Sequence, residues 1–140
     1  KRQLACPPNC QGAYLIGANA TGVNMIGADL SYASAIGATF VGTRFDSATM
    51  TGMNMTSADL TFANLTKANA ASAVFVSANL TTAYLVGAFL GSANLTTANL
   101  TLATLTNANL TSAKLTGATA TGASWGNTTC PDGRITSMGC

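Results

Sequence analysis

The chain has 140 residues, the length of one ordinary domain, and 48% of them are hydrophobic, so it can bury a core. Charged residues make up only 7% and the formal net charge is +2, which is too weak to indicate a nucleic acid or an anionic membrane as partner. Asn or Thr recurs every few residues, so no stretch approaches the roughly 20 mostly apolar residues of a membrane span.

The first twelve residues contain no repeat. They hold Pro7 and Pro8 together with two of the four cysteines, Cys6 and Cys10. This composition separates residues 1–12 from the strictly periodic sequence that follows, and we treat them as an N-terminal segment of their own.

A period of five residues begins at Ala13. In steps of five to Ala123 there are 23 positions, and 20 of them are Ala, with Val23, Thr43 and Met53 as the exceptions. The residue two places later, from Leu15 to Trp125, is apolar at all 23 positions. Such a period fits neither an α-helix nor a plain strand, and it predicts a chain that turns a corner in every repeat, with one small and one large residue inside.

The polar positions of the repeat are also regular. Asn or Asp lies between the two apolar residues in 11 of 23 repeats, and Thr or Ser follows the large one in 13. The resulting motif A-(N/D)-L-(T/S)-x, as in Ala58-Asp59-Leu60-Thr61 and Ala78-Asn79-Leu80-Thr81, resembles the pentapeptide repeat family.

The resemblance implies an all-β fold, a right-handed quadrilateral β-helix in which four repeats form one coil. Residues twenty apart then stack, and the repeats from 13 to 126 make about 23 repeats in nearly six coils. Residues 1–12 become an N-terminal cap and residues 127–140 a C-terminal cap, because each end of a solenoid exposes unpaired backbone and interior. Trp125 fills the last interior position, and we predict that it plugs the C-terminal end.

All four cysteines lie in these caps, at opposite ends of the predicted rod. A disulfide needs Cα atoms within about 7 Å, which leaves the pairs Cys6–Cys10 and Cys130–Cys140. The same separation argues against a four-cysteine metal site, and the chain has no histidine. Disulfides predict an oxidising, extracytoplasmic compartment, either outside a bacterial cell or in its periplasm, with the thylakoid lumen as the alternative.

The frequent N-x-S/T sequons favour these compartments over a eukaryotic secretory route, where glycans would crowd stacked sites. The sequons begin at Asn19, Asn54, Asn64, Asn79, Asn94, Asn99, Asn109 and Asn127.

Catalysis needs titratable groups that converge in a cleft, and the sequence offers none. The four carboxylates, Asp29, Asp46, Asp59 and Asp132, are scattered, and a filled core leaves no pocket. We therefore predict a protein that is not an enzyme, with no cofactor, no metal and no small-molecule substrate.

One side of the predicted solenoid carries apolar residues at outward positions, and a contiguous patch of such residues marks a protein-binding site. These residues are Tyr14, Ile16, Ile36, Val74 and Val76. The other outward aromatic residues, Tyr32, Phe62, Tyr84 and Phe89, are interpreted as scattered on other sides. The leading hypothesis is an interaction scaffold that presents flat faces to a protein partner.

Three further hypotheses remain. Low charge and stackable ends suit a self-assembling subunit of an extracellular fibre or layer. The outward column Thr61-Thr81-Thr101-Thr121 suits an ice-binding or mineral-binding face. Some pentapeptide repeat proteins mimic DNA and modulate gyrase, but that role needs a strongly negative surface, which this chain lacks.

Overall fold

The protein is a solenoid whose coils repeat every twenty residues. A computed structural model describes residues 8–140. In each repeat, the outward residue just before the large interior residue forms a parallel bridge to the residue twenty positions later. These bridges run from Asn9↔Asp29 to Asn109↔Thr129. Because the sequence repeat is five residues long, this spacing places four repeats in each coil, one on each side.

The four sides are named here by their first complete segments. Side A contains residues 13–17, side B 18–22, side C 23–27 and side D 28–32, each with the segments that follow at intervals of twenty. Columns of stacked residues run along every side, and the end that contains residues 111–131 is called the C-terminal end.

The coils are held by bridges rather than by extended strands. Two strands occur among residues 8–140, β1 (Thr128–Thr129) and β2 (Ile135–Thr136), and they pair antiparallel with Thr128 opposite Thr136. The described part of the chain contains no helix. A turn follows every bridge, so each side is too short to form a longer strand.

The backbone N–H groups of a repeat form one hydrogen bond within the turn and three hydrogen bonds to neighbouring coils. In residues 78–82, four of the five N–H groups donate to backbone carbonyls. The fifth, the N–H of Thr81, donates to Oδ1 of Asn79 at 3.1 Å. That oxygen also accepts the Thr81 hydroxyl at 2.6 Å, and Asn79 Nδ2 donates to Thr61 Oγ1 at 2.9 Å. The frequent Asn or Asp of the motif is therefore the acceptor for a donor that the ladder leaves over.

Every corner requires a backbone conformation that favours glycine. The N–H of Ala18 donates to the carbonyl of Leu15 at 3.0 Å, and the third residue of that turn, Gly17, has φ +63°. Non-glycine residues take the same position elsewhere, including the β-branched Thr82 at φ 57°. Such a residue is strained on its own, and it is kept in place here by the bonds to the coils above and below.

One corner shows why glycine is needed for packing as well. The ring of Tyr32 lies over Gly52, so that a Cβ atom on Gly52 would fall 2.8 Å from Tyr32 Cδ1. The exposed Tyr32 therefore fixes the choice of residue one coil further on.

The interior is filled by the large residue of each repeat and lined by the small one. Phe40 and Phe45 lie in the same coil with ring centroids 5.2 Å apart and planes at 74°, an edge-to-face contact. The interior residue of the preceding side in that coil is the small Ala35, so one small residue stands beside two large rings in this cross-section. Thr43 replaces the usual Ala but is fully buried, and its hydroxyl donates to the Ala20 carbonyl at 2.7 Å.

The hydrogen-bonded coils extend beyond residues 13–126 at both ends. The Cys10 N–H donates to the Asp29 carbonyl at 2.7 Å, so residues 8–12 form a side D segment rather than a separate cap. Thr129 pairs with Asn109, and Cys130 lies in the interior. The sequence analysis missed both segments because Pro8 and Thr128 stand where the repeat has Ala, and cysteines stand where it has a large apolar residue.

Removal of a core ring should destabilise the whole solenoid. We expect Phe40→Ala to lower the free energy of unfolding by about 3–5 kcal/mol, since a buried aromatic side chain leaves a cavity. Phe62→Ala, at an exposed corner, should change it by less than about 0.5 kcal/mol. Denaturant unfolding followed by circular dichroism measures both, and equal effects would contradict the packing described.

The side-chain acceptor of the repeat can be tested in the same way. We expect Asn79→Ala to cost about 1–3 kcal/mol, because the Thr81 N–H and hydroxyl lose their acceptor. Thr39→Ala is the matched control, since Thr39 holds the same position on side B and makes no side-chain hydrogen bond within the described residues. A control loss as large as that of Asn79→Ala would contradict the assignment.

Candidate interaction surface

The predicted apolar patch lies on side A, and three of its members are exposed. Tyr14 is 88% exposed, Ile16 58% and Ile36 39%. Tyr14 bridges to Ser34, which places Ile16 and Ile36 in the same column of adjacent coils. These three residues form a continuous apolar area at the N-terminal part of side A.

The two valines of the predicted patch lie apart from these residues. Val74 and Val76 are half-buried, and the coil between them and Ile36 presents Asn54 and Thr56. The hydroxyl of Thr56 donates to Asn54 Oδ1 at 2.7 Å, so a polar rung divides side A. The structure therefore separates the five predicted residues into a group of three and a pair.

Tyr32 borders the exposed group, although the sequence analysis assigned it to another side. It is 68% exposed and occupies the corner at which side D leads into side A, next to the segment that contains Ser34 and Ile36. We call Tyr14, Ile16, Tyr32 and Ile36 the N-terminal patch. Tyr32 is the last residue of its repeat, and this position in the sequence indicates a corner that borders two neighbouring sides.

The N-terminal patch also carries unused backbone donors. In repeats with Asn or Asp before the large residue, the side chain accepts the following N–H, as at Thr21 from Asn19 at 3.0 Å. Tyr14 has no such acceptor group and Ser34 makes no such bond, so the N–H groups of Ile16 and Ile36 have no partner within residues 8–140. The patch thus offers hydrogen-bond donors between apolar side chains.

Within residues 8–140, charged groups do not converge in a way that suits catalysis. Arg44 Nε lies 3.3 Å from Asp46 Oδ2, and Asn64 Nδ2 donates to the same carboxylate at 2.9 Å, which makes a surface ion pair on side C. Hydrogen bonds from the Ser31 side chain and backbone hold the pKa of Asp29 below its usual value. Among the described residues, no group of three His, Cys, Asp or Glu side chains is placed to hold a metal ion.

The cysteines support the predicted pairing in the part that the structure describes. Cys130 and Cys140 form a disulfide with Cα atoms 5.4 Å apart. Cys10 is also disulfide-bonded and is 2% exposed. Its predicted partner, Cys6, lies outside the described residues.

Trp125 lies at the C-terminal end of the interior, where the sequence analysis predicted a plug. It is partly buried and packs against the core cluster. Gly139 folds back over it, and a Cβ atom on Gly139 would lie 3.4 Å from Trp125 Nε1. Within residues 8–140 there is no helix with the length and apolar character needed to cross a membrane.

The sequence matches the family model of pentapeptide repeats with eight copies, at residues 9–46, 36–69, 54–91, 73–111 and 88–124. These matches cover most of the chain, and the chain therefore belongs to the pentapeptide repeat family. No curated protein matches the sequence.

Solved structures of pentapeptide repeat proteins resemble the fold. HetL of the cyanobacterium Nostoc sp. strain PCC 7120, involved in regulation of heterocyst differentiation, is 31% identical with a TM-score of 0.67, over 91% of this chain and 64% of that one. QnrB1, a plasmid-mediated fluoroquinolone resistance protein, is 23% identical with a TM-score of 0.68, over 82% and 63%. This chain therefore spans less than two thirds of the length of either protein.

A third similar structure comes from a known compartment. It is a pentapeptide repeat protein of the Arabidopsis thaliana thylakoid lumen, 26% identical with a TM-score of 0.50, over 83% of this chain and 67% of that one. Together these neighbours support the all-β, right-handed β-helix class.

The Cys130–Cys140 disulfide should stabilise the C-terminal segment locally. We expect Cys140→Ser to destabilise this segment by about 2–3 kcal/mol, because opening a ten-residue loop restores conformational entropy to the unfolded segment. Hydrogen exchange should then speed up in residues 128–140 and stay unchanged in residues 58–102. Uniform acceleration along the chain would show instead that the disulfide acts on the whole fold.

Proposed function

We propose that the chain is a non-catalytic interaction scaffold that works in an oxidising, extracytoplasmic compartment and binds a protein partner through the N-terminal patch. The observation that carries this proposal is the group of Tyr14, Ile16 and Ile36, exposed side by side on a flat side of a rigid solenoid. Monomeric soluble proteins rarely leave a continuous apolar area in water without a use.

The composition of the patch suits a protein partner. Tyrosine is enriched at the centres of protein interfaces, where it contributes a large apolar area at little cost in conformational entropy. The two tyrosines lie on the side D side of the two isoleucines, and the free N–H groups of Ile16 and Ile36 add donors that a partner carbonyl can use. The four residues of the patch carry no charge, so we expect the contact to depend little on salt.

Two findings support the compartment. The Cys130–Cys140 disulfide and the bonded Cys10 are typical of proteins that fold outside a reducing cytosol. The similar Arabidopsis protein resides in the thylakoid lumen. Secretion, the periplasm and the thylakoid lumen all fit these findings.

The likeness to QnrB1 does not extend this proposal to resistance or to DNA gyrase. At 23% identity it concerns the fold alone. A chain with net charge +2 also lacks the negative surface that a DNA mimic needs, so we favour a partner that recognises apolar side chains.

Photocrosslinking in cells that make the protein tests the patch. A benzophenone side chain at position 14 should yield a discrete adduct with one protein, identifiable by mass spectrometry. The double variant Ile16→Ser, Ile36→Ser should weaken binding of that protein about tenfold or more. An apolar side chain at the centre of an interface contributes more than about 1 kcal/mol to the free energy of binding, and both isoleucines are exposed in the free protein.

Thr116→Ala is the matched control, since Thr116 holds the same column of side A at the opposite end of the rod. It should leave binding unchanged. A crosslinker at position 116 that captures the same protein as efficiently as one at position 14 would argue against the N-terminal patch as the site.

A further inference from the structure

A second departure from the polar pattern of the repeat lies on side C, in the middle of the rod. Tyr84 and Val86 occupy the outward positions that Asn64 and Thr66 hold in the preceding coil. Asn64 Oδ1 accepts the N–H of Thr66 at 3.0 Å. Tyr84 has no such acceptor, so the N–H of Val86 has no partner within residues 8–140. Side C therefore changes from polar to apolar between two neighbouring coils, and a backbone donor becomes available there.

The two corners that border side C add an aromatic ring and a cation. Phe62 and Lys67 are the corner residues of side C in the coil before Tyr84, and both have φ 57°. Phe62 is 57% exposed and Tyr84 50%. A Cβ atom on Gly87 would lie 3.5 Å from Lys67 Cγ, so the lysine stem lies over the next corner, beside Val86. We call Phe62, Lys67, Tyr84 and Val86 the side C patch.

Lys67 is an isolated cation at the edge of this patch. Within residues 8–140 the ion pairs join Arg44 to Asp46 and Arg134 to Asp132, and neither includes Lys67. The sequence that follows it, from residue 68 to residue 113, contains no charged residue. The exposed ammonium group of Lys67 is therefore available to a carboxylate from outside the chain, next to two exposed aromatic rings.

We propose that the side C patch binds an extended peptide segment in which one acidic residue stands between apolar residues. The apolar side chains of the segment cover Phe62 and Tyr84, its carboxylate pairs with Lys67, and one of its carbonyls accepts the N–H of Val86. Extended peptides gain affinity from main-chain hydrogen bonds and specificity from the side chains beside them. Each group that the patch exposes then has a counterpart in the ligand.

Charge complementarity selects this occupant. A nucleic acid depends on several phosphate contacts, and the patch offers a single cation. A free inorganic anion would leave both aromatic rings uncovered. A segment with one carboxylate matches the one ammonium group and also covers the rings. Side C lies opposite side A, so this second binding surface is separate from the N-terminal patch.

Selection from a display library of random short peptides on the immobilised, non-reduced full chain tests the proposal. The double variant Tyr84→Asn, Val86→Thr serves for counter-selection, because it restores the pattern of Asn64 and Thr66 and gives the N–H at position 86 an acceptor within the chain. We expect the enriched peptides to share one Asp or Glu among apolar residues. The double variant should bind them about tenfold or more weakly than the wild type.

Val74→Asn, Val76→Thr is the matched control, since it makes the same kind of change in the same coil on side A. It should leave peptide binding unchanged, and circular dichroism shows whether each variant keeps its fold. Ile16→Ser, Ile36→Ser should also leave peptide binding unchanged. Failure of the N-terminal patch and failure of the side C patch are therefore told apart with the same set of variants.

A charge reversal tests the role of Lys67. Lys67→Glu should weaken binding of a synthetic peptide of the enriched sequence about tenfold or more, because attraction becomes repulsion. This loss should disappear when a Gln or Asn replaces the acidic residue of the peptide, as a double-mutant cycle requires. Lys114→Glu is the control, since Lys114 is also exposed and forms no ion pair within residues 8–140. It should leave binding unchanged.

Three results of the selection would overturn the proposal: no peptide enriched over the double variant Tyr84→Asn, Val86→Thr, enriched peptides without an acidic residue, or equal binding by Lys67→Glu and wild type. Light scattering adds a fourth. A concentration-dependent dimer that the same double variant dissociates would assign the side C patch to a second copy of the chain instead of a peptide segment.

Discussion

The ladder of backbone hydrogen bonds between residues twenty apart determines almost everything else in this molecule. It pairs Tyr14 with Ser34, Ser34 with Asn54, and so on along every side. Because each bond depends on the coil above and below, the cost of ordering one coil is offset only when its neighbours are ordered too. Within residues 8–140 the ladder also tolerates fourteen non-glycine residues at positive φ, each of which would be unfavourable in an isolated turn.

Much of this fold could be predicted from the sequence because the same short pattern of small, large and polar residues recurs every five positions. One small and one large apolar residue in every five define two inward positions, and the polar residues around them define the outside. The Asn and Asp pattern was visible, but its role was not, since it depends on a single donor per repeat that no backbone carbonyl reaches. Only the hydrogen bonds of Thr81 to Asn79 and its equivalents show that role.

The ends were harder to predict, for physical reasons. Cys10 and Cys130 occupy interior positions, where a small apolar sulfur side chain substitutes for leucine. Thr128 is buried in place of Ala because its hydroxyl reaches the Leu105 carbonyl at 2.8 Å. The last residues depend on an antiparallel pair, β1 with β2, which breaks the period altogether. Tyr32 was predicted to lie apart from the patch because each repeat was assigned to one side of the solenoid. A corner residue such as Tyr32 borders two sides.

A solenoid with so few charges can distinguish its surfaces only by shape, by apolar area and by unused backbone groups. In the repeats with Asn or Asp before the large residue, that side chain accepts the N–H two residues later, so this donor is already used. The repeats without Asn or Asp leave the same N–H without a partner within residues 8–140, and at Ile16 and Ile36 it lies between exposed apolar side chains. The N-terminal patch therefore combines apolar side chains with unpaired donors, the combination that a contacting chain can complete. The coils behind the patch hold these groups at fixed positions.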